Sequence, residues 1–486
     1  MHHTTPQTSA FRLESTPRAL ACGLPVVAIA ALLLSFGCGE DEPSSNPAEG
    51  IANQQPGVMA PPSTVLPGDP TNEGNPNATL EPGTATPAAF VENSGADCEI
   101  GALPTAAELT ELQTLPDPFL ALSGERLTSK AQWRCRRQEI LKLAEGFIYG
   151  EKPSKPESVS GTVSETSITV DLANQGQTAS FTATITMPAN VAGPVPAVIG
   201  YGGSSFQNTI LEEGVAFINF NVGSVGDETT RNPKTGAFYT VNPDHADTGM
   251  LVAWAWGVSR MIDVIEASGA QLINPKAIGV HGCSRSGKGA FIAGAFDERV
   301  ALTLPFESGM AGVPAFRMIV PEGGEVLRNA YEYRPWAGDT YLQFLVLGAP
   351  QTDMAALTAQ NEESGQLQFR LPLDTHEVMG MVAPRGLFVM GNPHIANLAP
   401  RAENITVQAG AQIYSALGAA QNLTYLSNIE NGMHCSFREE FVAPLQQNLR
   451  KFLKGDASAT TGTLDAHTNI AAPLEPSVAW QTPTLQ

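Results

Sequence analysis

Ala277-Ile278-Gly279-Val280-His281-Gly282-Cys283-Ser284-Arg285-Ser286-Gly287-Lys288-Gly289 is the stretch on which the fold turns. An apolar run enters Gly-x-Ser-x-x-Gly, and an alanine-rich segment of helical spacing leaves it. The pattern predicts a strand, a sharp turn at Ser284 and a helix. Such a turn strains the serine backbone, and small neighbours relieve the crowding. The hydroxyl then stands clear at the carboxyl end of a sheet. The helix N-terminus beneath it favours developing negative charge. The usual spacing is Gly-x-Ser-x-Gly; here the second glycine comes one place later. A Gly-Ser cluster is otherwise a plain turn, so the flanking strand and helix carry the reading.

Outward from this stretch, short apolar runs recur at 196–201, 215–220, 301–306, 386–390 and 423–426. Helical spacing fills 247–268 and 288–296 between them. Buried strands alternating with helices predict a three-layer α/β sandwich with a mostly parallel central sheet. Residues 165–171 and 179–187 alternate apolar and polar and predict antiparallel strands at one edge. A helix is expected over 129–149, burying Trp133, Ile140, Leu141, Ala144 and Phe147.

The chain ends read differently. Arg12 and Arg18 precede an apolar run over 19–36, too short and too lightly flanked for a membrane span. Residues 1–38 therefore read as a signal peptide. Leu34-Ser35-Phe36-Gly37-Cys38 resembles the bacterial lipoprotein cleavage box, whose cysteine is lipidated and anchors the chain to a membrane; Phe36 departs from it. Ordinary cleavage nearby is the alternative. The first reading expects the bacterial cell surface or outer membrane, the second a secreted or periplasmic protein. Residues 39–96 are rich in Pro, Gly, Asn, Thr, Ser and Glu and read as a disordered linker. The catalytic domain is expected over 97–458, with a loosely packed tail over 459–486. Net charge is −21, from 48 acidic and 27 basic residues. That excludes nucleic acid, which needs a clustered basic surface, and reads as solubility.

A nucleophilic serine needs a base, and the base an orienting acid. In α/β-hydrolases the histidine comes last, after the final strand. His434 fits, following the run 423–427. Glu307 ends the run 301–306, at a strand tip where this architecture places site residues. The loop after the next strand, 390–397, holds no acid, which favours Glu307 further; Asp374 is the fallback. His281, inside the elbow strand, reads as buried structure. Cys98, Cys135, Cys283 and Cys435 allow three pairings. If Ser284 and His434 share a site, Cys283 lies beside Cys435. That predicts Cys283–Cys435 and, by elimination, Cys98–Cys135.

Gly282-Cys283-Ser284-Arg285-x-Gly287-Lys288 is similar to the signature of the glucuronoyl esterases, carbohydrate esterase family 15. Trp254-Ala255-Trp256-Gly257-Val258-Ser259-Arg260, Glu307-Ser308-Gly309, Ala383-Pro384-Arg385, His434-Cys435 and the run 127–135 extend the resemblance in order from 115 to 455. It implies an α/β-hydrolase cleaving esters between lignin alcohols and 4-O-methyl-glucuronic acid on glucuronoxylan. Ser284 would attack, His434 act as base then acid, and Glu307 orient it. Arg285 would join the oxyanion hole and Lys288 bind sugar hydroxyls. No cofactor and no metal are expected, and a monomer is. The family's sugar-stacking tryptophan is replaced by Asn397, and of its glutamine and glutamate contacts only Glu325 offers a substitute. Two rivals stand beside this reading: another carbohydrate esterase, such as an acetyl xylan esterase, and a surface carbohydrate-binding protein without turnover.

Overall fold

Residues 90–105, 107–319, 324–325, 330–331, 334–340 and 367–486 are described by a computed structural model. The expected signal peptide, Cys38 and most of the linker lie outside the described residues.

Ten strands form one sheet. They are β1 (Ser158–Val163), β2 (Ser167–Asn174), β3 (Gln177–Thr186), β4 (Val195–Tyr201) and β5 (Ala216–Phe220), then β6 (Ile273–Cys283), β7 (Val300–Phe306), β8 (Gly386–Met390), β9 (Leu423–Leu426) and β10 (Leu464–Asp465). Their order is β1-β2-β3-β5-β4-β6-β7-β8-β9-β10. β1, β2, β3 and β5 pair antiparallel, and every pairing from β5 through β10 is parallel. The antiparallel edge and parallel centre match the sequence expectation. β1 was not foreseen because it is a solvent-facing edge strand, Ser-Val-Ser-Gly-Thr-Val, with little to bury.

Helices cover both faces: α1 (Lys130–Ala144), α2 (Met250–Ala267), α3 (Arg285–Phe296), α4 (Thr375–Val382), α5 (Pro400–Ala416) and α6 (Glu439–Lys454). Alternation along the strands divides the core. Ala197, Ile199, Ile218, Leu387 and Val389 point into one layer with α1 to α5. Val198, Phe217, Leu302, Leu304 and Phe388 point into the other. There they meet Phe441, Leu445, Leu449 and Phe452 of α6, a stripe at helical spacing. α1 starts at a capping box, Ser129 with Gln132, and buries Trp133, Ile140, Leu141 and Ala144 of the expected stripe, while Phe147 is buried in the wider helical turn Glu145–Tyr149 that follows.

Two boundaries differ from expectation. The chain is already tied down before residue 97. Glu92 pairs with Lys152 and with Arg260 at 2.5 Å, and both the backbone N–H and the hydroxyl of Ser94 donate to Glu298. A short polar segment held by ion pairs carries no apolar signal, so composition alone assigns it to the linker.

Residues 459–486 are packed rather than loose. β10 extends the sheet, and the Trp480 ring stacks on His376 with centroids 5.4 Å apart. The Gln486 backbone N–H donates to the Thr128 carbonyl at 3.0 Å. Isolated anchors, Ile470, Leu474, Trp480 and Leu485, are buried within the Thr/Ala/Pro composition that suggested a loose tail. Trp480→Ala should therefore cost about 2–3 kcal/mol of stability, read as a lower urea midpoint; a loose tail would leave the midpoint unchanged.

Candidate active site

The site grows from adjacent strand tips. In the β6–β7 register Gly282 faces Pro305 and Cys283 faces Phe306, and Phe306 faces Met390 of β8. The next backbone bonds step across the same edge. Ser284 N–H donates to Phe306 O at 2.9 Å, Glu307 N–H to Met390 O at 2.8 Å, and Gly391 N–H to Leu426 O at 2.9 Å. Residues 284, 307 and 392 thus emerge side by side at the carboxyl ends of the parallel strands, where such sheets place their sites.

Ser284 has φ 59° and ψ −128° and immediately precedes α3. This is the strained turn the motif predicts. A Cβ on Gly282 would come within 2.3 Å of the Ser286 carbonyl oxygen, and one on Gly287 within 2.6 Å of that of Phe306. The spacing is therefore met by glycines where the backbone closes on itself. Glu307 (φ 48°) and Cys435 (φ 58°) are also left-handed. Such non-glycine residues cost about 1–3 kcal/mol each and gather at functional sites.

Glu307 is buried. Its Oε2 accepts from His434 Nδ1 at 2.5 Å and from the Cys435 backbone N–H at 2.9 Å. Its Oε1 accepts from Asn392 Nδ2 at 3.1 Å and pairs with Arg438 at 2.8 Å. Burial alone would raise its pKa; the His434 and Cys435 hydrogen bonds, the Arg438 charge and Asn392 together hold it below the ordinary glutamate value. An ionised Glu307 accepts the Nδ1–H of His434, which leaves Nε2 as the lone-pair nitrogen. His434 itself is exposed.

Cys283 and Cys435 form a disulfide with Cα atoms 5.8 Å apart, and Cys98 and Cys135 form the second. The cystine joins the residue before Ser284 to the residue after His434. The donor atoms of Cys283, Glu307, His434 and Cys435 lie within 4.8 Å of one another. A disulfide offers no thiolate, and Glu307 already engages Nδ1, so this set suits acyl-transfer chemistry rather than metal ligation.

The two basic residues are both paired. Arg285 Nε lies 3.1 Å from Glu228 Oε1. Lys288 is buried and donates to Ser308 O at 2.6 Å and Glu325 Oε2 at 2.7 Å, with Nζ 4.9 Å from the Trp336 ring centre. Burial lowers the Lys288 pKa, opposed by the carboxylates of Glu325 and Glu228. Asn397 is exposed, and its backbone carbonyl accepts the Glu325 N–H at 2.8 Å. Asp374, the fallback acid, instead caps α4 and pairs with Arg317 at 2.9 Å, both buried. His281 is buried; Nδ1–H donates to Leu304 O at 3.0 Å and Nε2 bonds Ser204 Oγ at 2.8 Å, with burial pushing its pKa down to about 4. Asn392, Arg438, Glu228 and Trp336 were not foreseen. Only Asn392 left a trace, standing in the loop where an acid was sought and not found.

A sheet of this topology with a serine elbow and a buried carboxylate–imidazole pair at its strand tips defines an α/β-hydrolase. A family model described as glucuronyl esterase of fungi matches residues 170–418. The 4-O-methyl-glucuronoyl methylesterase of Hypocrea jecorina is 34% identical over 397 residues, 80% of each chain. That of Thermothelomyces thermophilus is 35% identical over 366 residues, 74% of this chain and 86% of its own. The solved glucuronoyl esterase of Sporotrichum thermophile superposes with a TM-score of 0.69 at 34% identity, covering 80% of this chain and 100% of that one. A serine-to-alanine mutant of that enzyme is solved with methyl 4-O-methyl-β-D-glucopyranuronate. The chain belongs to the glucuronoyl esterase family.

Protonating Glu307 would remove the acceptor of the His434 Nδ1–H. Arg438→Gln deletes the nearest cation and should raise the Glu307 pKa. The acid limb of the kcat/KM–pH profile should then move to higher pH, while Arg438→Lys, which keeps the charge, moves it less.

Proposed function

We propose that this protein is a serine carboxylic ester hydrolase acting on esters of (4-O-methyl-)glucuronic acid, as in lignin–glucuronoxylan linkages. The observation that carries the reading is the 2.5 Å contact between Glu307 and His434 beside the strained Ser284 elbow. Ser284 Oγ attacks the uronoyl carbon while His434 Nε2 takes its proton. The tetrahedral oxyanion lies at the N-terminus of α3, where the Arg285 backbone N–H and guanidinium stabilise it. His434 then returns the proton to the departing alcohol oxygen as the ester C–O bond breaks. Water repeats the sequence. Its oxygen joins the uronoyl carbon, the Ser284 Oγ–C bond breaks, and His434 reprotonates Ser284.

Lys288 supports the sugar side. Two of its three N–H groups meet Ser308 O and Glu325, which leaves one for a sugar hydroxyl. Glu325, held by Lys288, is placed to accept from another. An acetyl substrate would not need the hydroxyl-binding pair Lys288 and Glu325 in the cleft, which disfavours the acetyl xylan esterase reading.

Export is part of the proposal. Two disulfides suit an oxidising compartment. Residues 1–38 read as an export segment ending at a lipidated Cys38, with the chain up to residue 89 as spacer. Ser94 binds Glu298 at the entry of β7, whereas Glu307 stands at its exit. Mass spectrometry of the mature N-terminus separates an acylated Cys38 from a chain cleaved elsewhere.

The activity is tested with benzyl glucuronate beside an acetylated xylo-oligosaccharide. Wild type should hydrolyse the glucuronate, and Ser284→Ala should lose at least about a thousandfold in kcat. Turnover of the acetyl substrate alone would refute the uronate assignment while leaving the serine mechanism intact.

A further inference from the structure

Glu228 sits at the site without a role in the reaction just described. Its carboxylate bridges two groups of the cleft wall. Oε1 meets Arg285 Nε at 3.1 Å, and Oε2 accepts from Trp336 Nε1 at 2.7 Å. Trp336 in turn stacks against Lys288, whose ammonium is matched by Glu325. Among the described residues each cation of the site thus has its own carboxylate: Arg285 with Glu228, Lys288 with Glu325, and Arg438 with Glu307.

Hydrolysis changes the charge of what occupies this cleft. The uronate ester enters neutral at the reacting carbon. The acid that leaves loses its proton to solvent and carries a carboxylate on that same carbon. An unpaired arginine one residue from the nucleophile would hold that carboxylate in a two-point fork, the strongest geometry for such a pair. Arg285 is 53% exposed at its side chain, so a ligand can reach it. Its Nε edge, however, is occupied by Glu228, which removes one of the two fork faces and cancels the charge. The tetrahedral intermediate is affected less, because its oxyanion is also held by a backbone N–H that Glu228 does not touch.

We infer that Glu228 is a specificity-determining residue that makes the cleft discriminate against the anionic uronate product in favour of the neutral ester. The inference rests on the uronate-ester reading above. Its cost is a weaker guanidinium for the substrate, and its gain is a product that leaves.

The test separates the two readings. Calorimetry on the full chain carrying Ser284→Ala measures binding of sodium glucuronate and of methyl glucuronate. Adding Glu228→Gln removes the charge and keeps an acceptor oxygen for the Trp336 indole. Affinity for the acid relative to the ester should rise about threefold to tenfold, and Glu228→Asp should restore the original ratio. A merely structural Glu228 would weaken both ligands together. An unchanged ratio overturns this inference alone. Failure of the Ser284→Ala chain to bind either ligand overturns it together with the reading beneath it.

Discussion

A carboxylate buried at a strand tip is the constraint that organises this molecule. Glu307 has almost no contact with water, yet it accepts from His434 Nδ1 with its pKa held below the ordinary glutamate value. Burial works against that charge, and three hydrogen-bond donors and one cation from two separate segments offset it: Asn392 from one, and His434, Cys435 and Arg438 from the other. Each donor must be delivered to within about hydrogen-bond distance. The β7–β8 register, the loop 429–438 and the start of α6 are therefore fixed together. Arg438 also donates to the carbonyls of Asn431, Met433 and Ser436, so the same guanidinium that stabilises the charge shapes the loop carrying the histidine.

The central architecture was legible because parallel strands buried on both faces write themselves as apolar runs. β4, β6, β7, β8 and β9 lie where those runs lie, within a few residues. β1 was hidden because an exposed edge strand needs no hydrophobic pattern. The two ends of the domain were hidden for related reasons. Glu92 and Ser94 hold the entry by charge and hydrogen bonds, and Trp480 holds the exit as a lone aromatic in a polar context. Composition averages over such single contacts.

For the site, local motifs were more legible than partnerships. The Ser284 elbow, the position of His434 after the last long strand and the acid at the tip of β7 all carry order and spacing in the chain. The structure brings Glu307 and His434 into contact and closes the cystine beside them. What sequence could not convey was who answers each charge. Glu228 lies 57 residues before Arg285, and Arg438 more than a hundred after Glu307. Nothing local to either carboxylate or guanidinium announces its partner, because an ion pair across loops is created by topology alone.

The Cys283–Cys435 bond closes a loop of sequence separation 152. Ser284 is the first residue inside that loop, His434 is the last, and Glu307 lies between them. The three residues therefore belong to one covalent circle whose clasp is at the site. A peptide-bond break anywhere between 284 and 434 would open the circle without parting the chain into two molecules. Ser284 and His434 would stay on neighbouring ends of the same bond, joined through sulfur instead of backbone. The residues proposed as nucleophile and base thereby stay joined after the loss of any one peptide link in the chain between them.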